Sequence, residues 1–137
     1  MKRILLLNFI LCVVFSARIL AALGNSETQL ADLYGKPTQQ GFPDKNGVTT
    51  NMYQNGDYLI LVQFLRRYSC AESYTRVDRH DLSDQEISTL LEKNSNEREW
   101  NKDPNKLAWE RSDHKARAWC ETLSGRPSLL IQAKSGR

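Results

Sequence analysis

Two runs rich in β-formers, VTTNMYQ and DYLILVQFL, are separated by the dipeptide Asn55-Gly56. Both residue types tolerate positive φ, so such a pair reverses a chain within two residues and makes the flanking runs an antiparallel hairpin. With Asn55-Gly56 as the loop, Gln54 faces Asp57, and the pairs Tyr53/Tyr58, Met52/Leu59, Asn51/Ile60 and Thr50/Leu61 follow. Alternation then sorts Tyr58, Ile60, Val62 and Phe64 onto one surface, and Val48, Met52, Leu59, Leu61 and Leu65 onto the other.

A third run, YSCAESYTRV, returns after Arg66-Arg67. Continued alternation sets Ser69, Ala71, Ser73 and Thr75 beside the Ile60 surface, and Tyr68, Cys70, Glu72 and Tyr74 on the Leu61 surface. Large residues next to small ones let a helix approach closely. The helix is supplied by SETQLADLYGKP: Ser26 and Gln29 form a capping box, and Leu30, Leu33 and Tyr34 make one apolar face. Gly35 and Pro37 then stop it. A helix of about nine residues does not stand alone in water, so it lies on the Ile60 surface as a lid.

The same grammar recurs in SDQEISTLLEKN, where Ser83 and Glu86 make a second capping box, Leu82 and Ile87 a hydrophobic staple, and Ile87, Leu90 and Leu91 the apolar stripe. LAWER and ARAWCETL read as strands around Asp113-His114. A two-residue loop there pairs Glu110 with Arg117, Trp109 with Ala118 and Ala108 with Trp119, and SGRP turns the chain into SLLIQAK. Ser26 and Ser83 lie 57 residues apart, too few repeats for a solenoid. The expected fold is α+β: two α-β-β-β units, residues 25–78 and 79–137, forming a single domain of antiparallel sheet with short helices packed on one face.

Residues 1–24 read as an export signal. Lys2 and Arg3 precede the apolar run Ile4 to Phe15, which is shorter than the roughly 20 residues a membrane-spanning helix needs, and Arg18 blocks its extension. Small residues place cleavage within 16–24. Cys12 follows Ile10 and Leu11 and so lacks the small neighbour a lipid-bearing cysteine requires. Removing residues 1–22 takes Lys2, Arg3 and Arg18 and no acid, so 19 basic against 16 acidic residues become 16 against 16. A near-neutral chain gives no global field for nucleic acid, and no stable membrane insertion is expected after cleavage. The expected location is the periplasm or the extracellular medium. Cys70 and Cys120 then leave two readings open. One is a disulfide closing a loop of about 50 residues, worth ~4 kcal/mol in the chain-entropy view; the other is two separate buried thiols.

The short helix ending in YGKP, the Asn-Gly hairpin with DYLILVQFL, the segment LSDQEISTLLEKN and the later Trp109, Arg111, Ser112, Asp113 turn together resemble a group of small, uncharacterised exported bacterial proteins. The α-β-β-β repeat also resembles the fold shared by the β-lactamase inhibitor protein and the small outer-membrane assembly lipoproteins. That resemblance implies a sheet whose open face binds protein, without the lipid-bearing cysteine of the lipoproteins.

Nucleophilic catalysis needs a serine or cysteine with a histidine and an orienting acid. The chain has only His80 and His114, both in connections, so no catalytic residues, no cofactor and no metal are assigned. Asp78, His80 and Asp81, with Asp84, could offer ligands to a cation in a small enzyme or metal-dependent binder, although acids before a helix also follow from capping. Arg66, Arg67, Arg76 and Arg79 suggest an anion patch, set against intervening acids at Glu72, Asp78 and Asp81. The candidate binding surface is the apolar face of Met52, Leu59, Leu61, Tyr68 and Tyr74, mixed as interface centres are. The alternative is that the second unit or its helix covers it. The expected role is noncatalytic binding of an envelope or extracellular protein; a self-associating structural envelope protein is the other noncatalytic reading.

Overall fold

The computed structural model describes residues 23–134; the leader and nearly all of its cleavage window lie outside the described residues. Helix α1 (Glu27–Tyr34) precedes strands β1 (Gln39–Gln40), β2 (Thr49–Asn55), β3 (Tyr58–Leu65) and β4 (Tyr68–Arg76). Helix α2 (Asp84–Lys93) precedes β5 (Trp100–Lys102), β6 (Ala108–Arg111), β7 (Ala116–Leu123) and β8 (Arg126–Ala133). All eight strands form one antiparallel sheet in the order β1-β2-β3-β4-β8-β7-β6-β5. The two halves therefore meet where their last strands pair, Tyr74 opposite Leu129 and Glu72 opposite Ile131.

Each half carries a fourth, edge strand where the sequence suggests only a connector. β1 sits close to its neighbour because Gly41 has no side chain: a Cβ there would lie 2.4 Å from the Thr50 carbonyl oxygen. Edge strands of two and three residues offer little backbone for pairing with another chain.

The β2–β3 loop is Gly56-Asp57, not Asn55-Gly56, since Asn55 pairs with Tyr58, Tyr53 with Ile60 and Met52 with Leu61. Gly56 takes φ +55° while Asn55 stays extended in β2, the pattern of a turn with glycine first. The register moves by one residue on each strand, two in all. Because side chains alternate with period two, Ile60 and Leu61 still point to opposite faces. The β6–β7 register is as expected, with Ala108, Trp109 and Glu110 opposite Trp119, Ala118 and Arg117.

On β4 the sorting changes. Gln63 pairs with Ala71 but Phe64 with Ser69, so Cys70 is the extra residue of a bulge. Beyond it every side chain is reversed relative to strict alternation. Glu72 and Tyr74 therefore join Val62 and Ile60 on the helix-covered face, at 2% and 1% exposure, while Ala71, Ser73 and Thr75 lie opposite. The disulfide is not formed. Cys70 and Cys120 are free thiols on β4 and β7 with β8 between them, at least two strand spacings or roughly 10 Å apart, beyond bridging distance. Burial raises both thiol pKa values.

Both helices pack on the Ile60 face in one core with Tyr53, Val62, Phe64, Leu129 and Ile131. Both capping boxes are formed, Ser26 with Gln29 and Ser83 with Glu86. In α1, Leu30 and Tyr34 are buried and the Tyr34 ring lies 5.8 Å from that of Tyr53, but Leu33 is turned outward. Burying Leu30 alone contributes roughly 2 kcal/mol. Helix α2 is tied to the sheet at both ends. Glu86 in its first turn accepts from Tyr58 Oη and pairs with Arg76. At its other end Arg111 donates to the Asn94 carbonyl at 3.0 Å and pairs with Asp113 at 2.9 Å, while the Trp100 indole donates to the Leu91 carbonyl at 2.8 Å. The Trp109-to-Asp113 turn is thus a clip for the helix end.

Between helices and sheet runs a buried polar chain. Tyr74 Oη donates to Glu72 and contacts Tyr34 Oη at 3.2 Å, and Asn94 Nδ2 donates to Tyr74 Oη at 3.1 Å. Among the described residues Glu72 Oε1 has no hydrogen-bond partner. Burial pushes the Glu72 carboxyl from 4.5 up to about 7, against the opposing effect of the hydrogen bonds from Tyr74 and Tyr34, and raises Tyr74 well above its usual value. Below pH 4.5 the carboxyl is protonated folded or unfolded. As pH climbs from 4.5 to about 7, the unfolded chain releases a proton that the folded one keeps, so stability falls. The loss amounts to roughly 3 kcal/mol. Glu72→Gln is expected to abolish this decline in urea unfolding between pH 5 and 8. It should leave the separate acid-side loss, due to the lowered carboxyls of Asp78, Glu86, Glu110 and Asp113, in place.

The β3–β4 turn holds Arg66 and Arg67 at φ +53° and +73°, a conformation that costs L-residues about 1 kcal/mol each. The equivalent β7–β8 turn uses Ser124-Gly125 at +49° and +75°. Arg66→Asn with Arg67→Gly is expected to raise stability by about 1 kcal/mol, read as a higher urea midpoint at unchanged slope.

Candidate functional site

With both helices on one side, the other face of the sheet is left bare by every described element. The second unit extends the sheet sideways beyond β4, and α2 lies on the far side, so neither covers it. A row of paired residues crosses this face through six strands: Met52, Leu61, Ser73, Leu130, Trp119 and Ala108. A second row runs from Gln54 and Leu59 through Thr75 and Ser128 to Glu121.

Of the sequence-assigned binding residues, Met52, Leu59 and Leu61 stand together here, and Tyr68, 58% exposed, closes the end of the face opposite Leu65. Tyr74 does not belong to the surface. The bulge at Cys70 turns it into the core, where it bonds Tyr34 and Asn94. The second unit adds Trp119 and Leu130, which the sequence reading left out. The Ala108/Trp119 pairing sets that indole on the other face from Trp109, but only the β4–β8 seam puts it in one row with Leu61.

Small residues at the seam make the face concave. A trough of about 330 Å³ has Ala71, Ser73 and Leu130 at its floor, Leu61 and Trp119 as walls, and Gln63, Gln132 and Arg117 at its rim. The Trp119 ring is held in place: its N–H donates to Glu121 at 2.8 Å, and the Arg117 guanidinium sits 5.1 Å from its centroid. Arg117 is held in turn by donating to Gln132 Oε1 at 2.9 Å and 3.2 Å. An aromatic ring fixed in this way presents apolar area at little further entropic cost.

The acidic loop is arranged differently from a cation site. Both Asp78 oxygens accept from Arg76, at 2.9 Å and 2.6 Å, and Oδ1 also accepts from the His80 N–H. The Arg76 hydrogen bonds hold the Asp78 carboxyl well below its usual pKa. Among the described residues no group of three or more His, Cys, Asp or Glu is placed to hold a metal ion. His114 occupies the β6–β7 turn at φ +60° and contacts Glu110.

No family model matches the chain, and no curated protein matches it. Among solved structures it is similar to a cysteine-rich secretory protein from Staphylococcus aureus subsp. aureus Mu50, at 14% identity and a TM-score of 0.46, over 82% of this chain and 45% of that one. The chain thus spans less than half the length of that protein, and at this score the likeness carries no argument.

The Ser73 hydroxyl in the trough floor is buried and makes no hydrogen bond among the described residues. Ser73→Ala is therefore expected to leave stability unchanged or to raise it by up to about 1 kcal/mol. A fall in the urea midpoint would show that the hydroxyl is bonded in solution.

Proposed function

We propose that the protein is an exported, noncatalytic module that binds another envelope or extracellular protein through the open face of its sheet. The observation that carries this reading is the bare row from Met52 and Leu61 across the seam to Leu130 and Trp119, on a sheet whose two helices both lie on the other side. Aliphatic and aromatic residues around a rigid tryptophan, with a polar rim of Gln63, Gln132 and Arg117, match the composition of interface centres. The apolar leader supports export, and the resemblance to inhibitor-like and assembly-lipoprotein folds supports recognition by the sheet. Among the described residues no helix is long and apolar enough to cross a membrane.

The rival that uses Asp78, His80 and Asp81 has less support, because the Asp78 carboxylate is already engaged by Arg76. Self-association by edge pairing is limited by the short β1 and β5, which leaves face-to-face pairing as its route.

A photo-crosslinking residue at Leu61 is expected to give a discrete adduct in the native envelope or medium. The same residue at Glu92, exposed on α2, should not, and Met52→Asp should abolish the Leu61 adduct. Equal adducts at both positions would refute the reading, and adducts of the protein with itself alone would replace it with self-association.

A further inference from the structure

The acids that shadow Arg66 and Arg67 in the sequence are removed from them by the fold. Glu72 is buried on the helix face, and Asp78 and Asp81 follow the far end of β4, roughly 25–30 Å away along nine strand residues. Other cations take their place. Antiparallel pairing of Leu65 with Tyr68 and of Ala116 with Ala133 puts the β3–β4 turn, the β6–β7 turn and the end of β8 at the same edge of the sheet. Lys115 and Lys134 thereby share a recess with Arg66, and Arg117 lines the hollow next to it.

A groove of about 610 Å³ opens at this end, lined among others by Leu65, Arg66, Tyr68, Lys115 and Lys134. A hollow of about 550 Å³ beside it adds Arg117 and shares Arg117 and Gln132 with the lining of the trough. Among the described residues neither lining contains an Asp or Glu. Two nearby cations have carboxylate neighbours: Lys134 lies 3.0 Å from Glu110, a carboxylate the His114 ring also contacts, and Arg111 is paired with Asp113. Arg66, Arg67, Lys115 and Arg117 have no carboxylate within ion-pair distance among the described residues. Leu65, at 41% exposure, and Tyr68 stand between them.

We infer that this end of the sheet binds an acidic, extended segment of a protein partner, with an apolar side chain against Leu65 and Tyr68 and carboxylates against Arg66, Lys115 and Arg117. Uncompensated cations around an apolar floor select anions by charge complementarity and exclude cationic segments. A recess between two turns admits a peptide chain, whereas a bilayer surface cannot enter it. The inference takes from the proposed function only that the partner is a protein; it does not depend on the trough.

The test uses the exported protein and a labelled peptide of about eight residues alternating Glu and Leu, beside the same peptide with Gln for Glu. The Glu peptide is expected to bind at least about tenfold tighter, with an affinity that falls as salt rises. Arg66→Asn/Arg67→Gly with Lys115→Gln is expected to lose at least about tenfold of that affinity. Since the turn replacement favours the native turn, an undiminished urea midpoint shows that the loss is not unfolding. Equal binding of the two peptides, an unchanged affinity in the triple variant, or displacement of the peptide by phosphatidylglycerol vesicles would overturn the inference. The two surfaces fail separately: tight, salt-dependent binding of the Glu peptide with no discrete adduct from the probe at Leu61 sinks the trough alone, and a discrete Leu61 adduct with equal binding of the two peptides sinks the groove alone.

Discussion

The pairing of β4 with β8 is the interaction on which the rest of the structure depends. Each half ends in a long strand with one free edge, and joining these two edges antiparallel closes the most exposed backbone while leaving only the short β1 and β5 outside. The same pairing decides what the sheet can present. It aligns Tyr74 with Leu129 and Glu72 with Ile131 under the helices, and Ser73 with Leu130 on the opposite face. Had the halves packed face to face, the Leu61 row would be core. Because they meet edge to edge, it is surface.

The helices are held by polar contacts as much as by apolar burial, which keeps them on one side. Glu86 serves the α2 cap, Tyr58 and Arg76 at once, and Arg111 and Trp100 take the last carbonyls of the same helix. Glu72, Tyr74, Tyr34 and Asn94 link β4 to both helices across the core. A buried carboxyl with one unpartnered oxygen is a costly way to join layers, and it makes the neutral form of Glu72 the one that suits the fold.

The trough and the basic groove differ in chemistry and are linked by the hollow whose lining takes residues from both. The apolar part forms at the seam, where small β4 residues sit between Leu61 and Trp119; the charged part forms at the sheet end, where two turns and the end of β8 converge. Apolar burial supplies affinity with little orientation, and uncompensated cations supply orientation and encounter rate, so the two parts complement each other in recognising a segment that is apolar in one stretch and acidic in the next.

Local chemistry made much of this legible before any coordinates. Ser26 with Gln29 and Ser83 with Glu86 announced both helices, because a capping box is satisfied within four residues. Alternation in DYLILVQFL separated Ile60 from Leu61, a separation that survived a misplaced turn because a two-residue slip preserves the faces. What tertiary structure alone decided needed partners distant in sequence. The bulge at Cys70, which turned Tyr74 and Glu72 inward, has no mark in the composition of YSCAESYTRV. Trp119 joined Leu61 only through β8, and the separation of Cys70 from Cys120, like the gathering of Lys115 and Lys134 around Arg66, followed from which strands became neighbours. Periodicity reports which way a side chain points from its own strand; the order of strands in a sheet is set by long-range pairing, which no local pattern encodes.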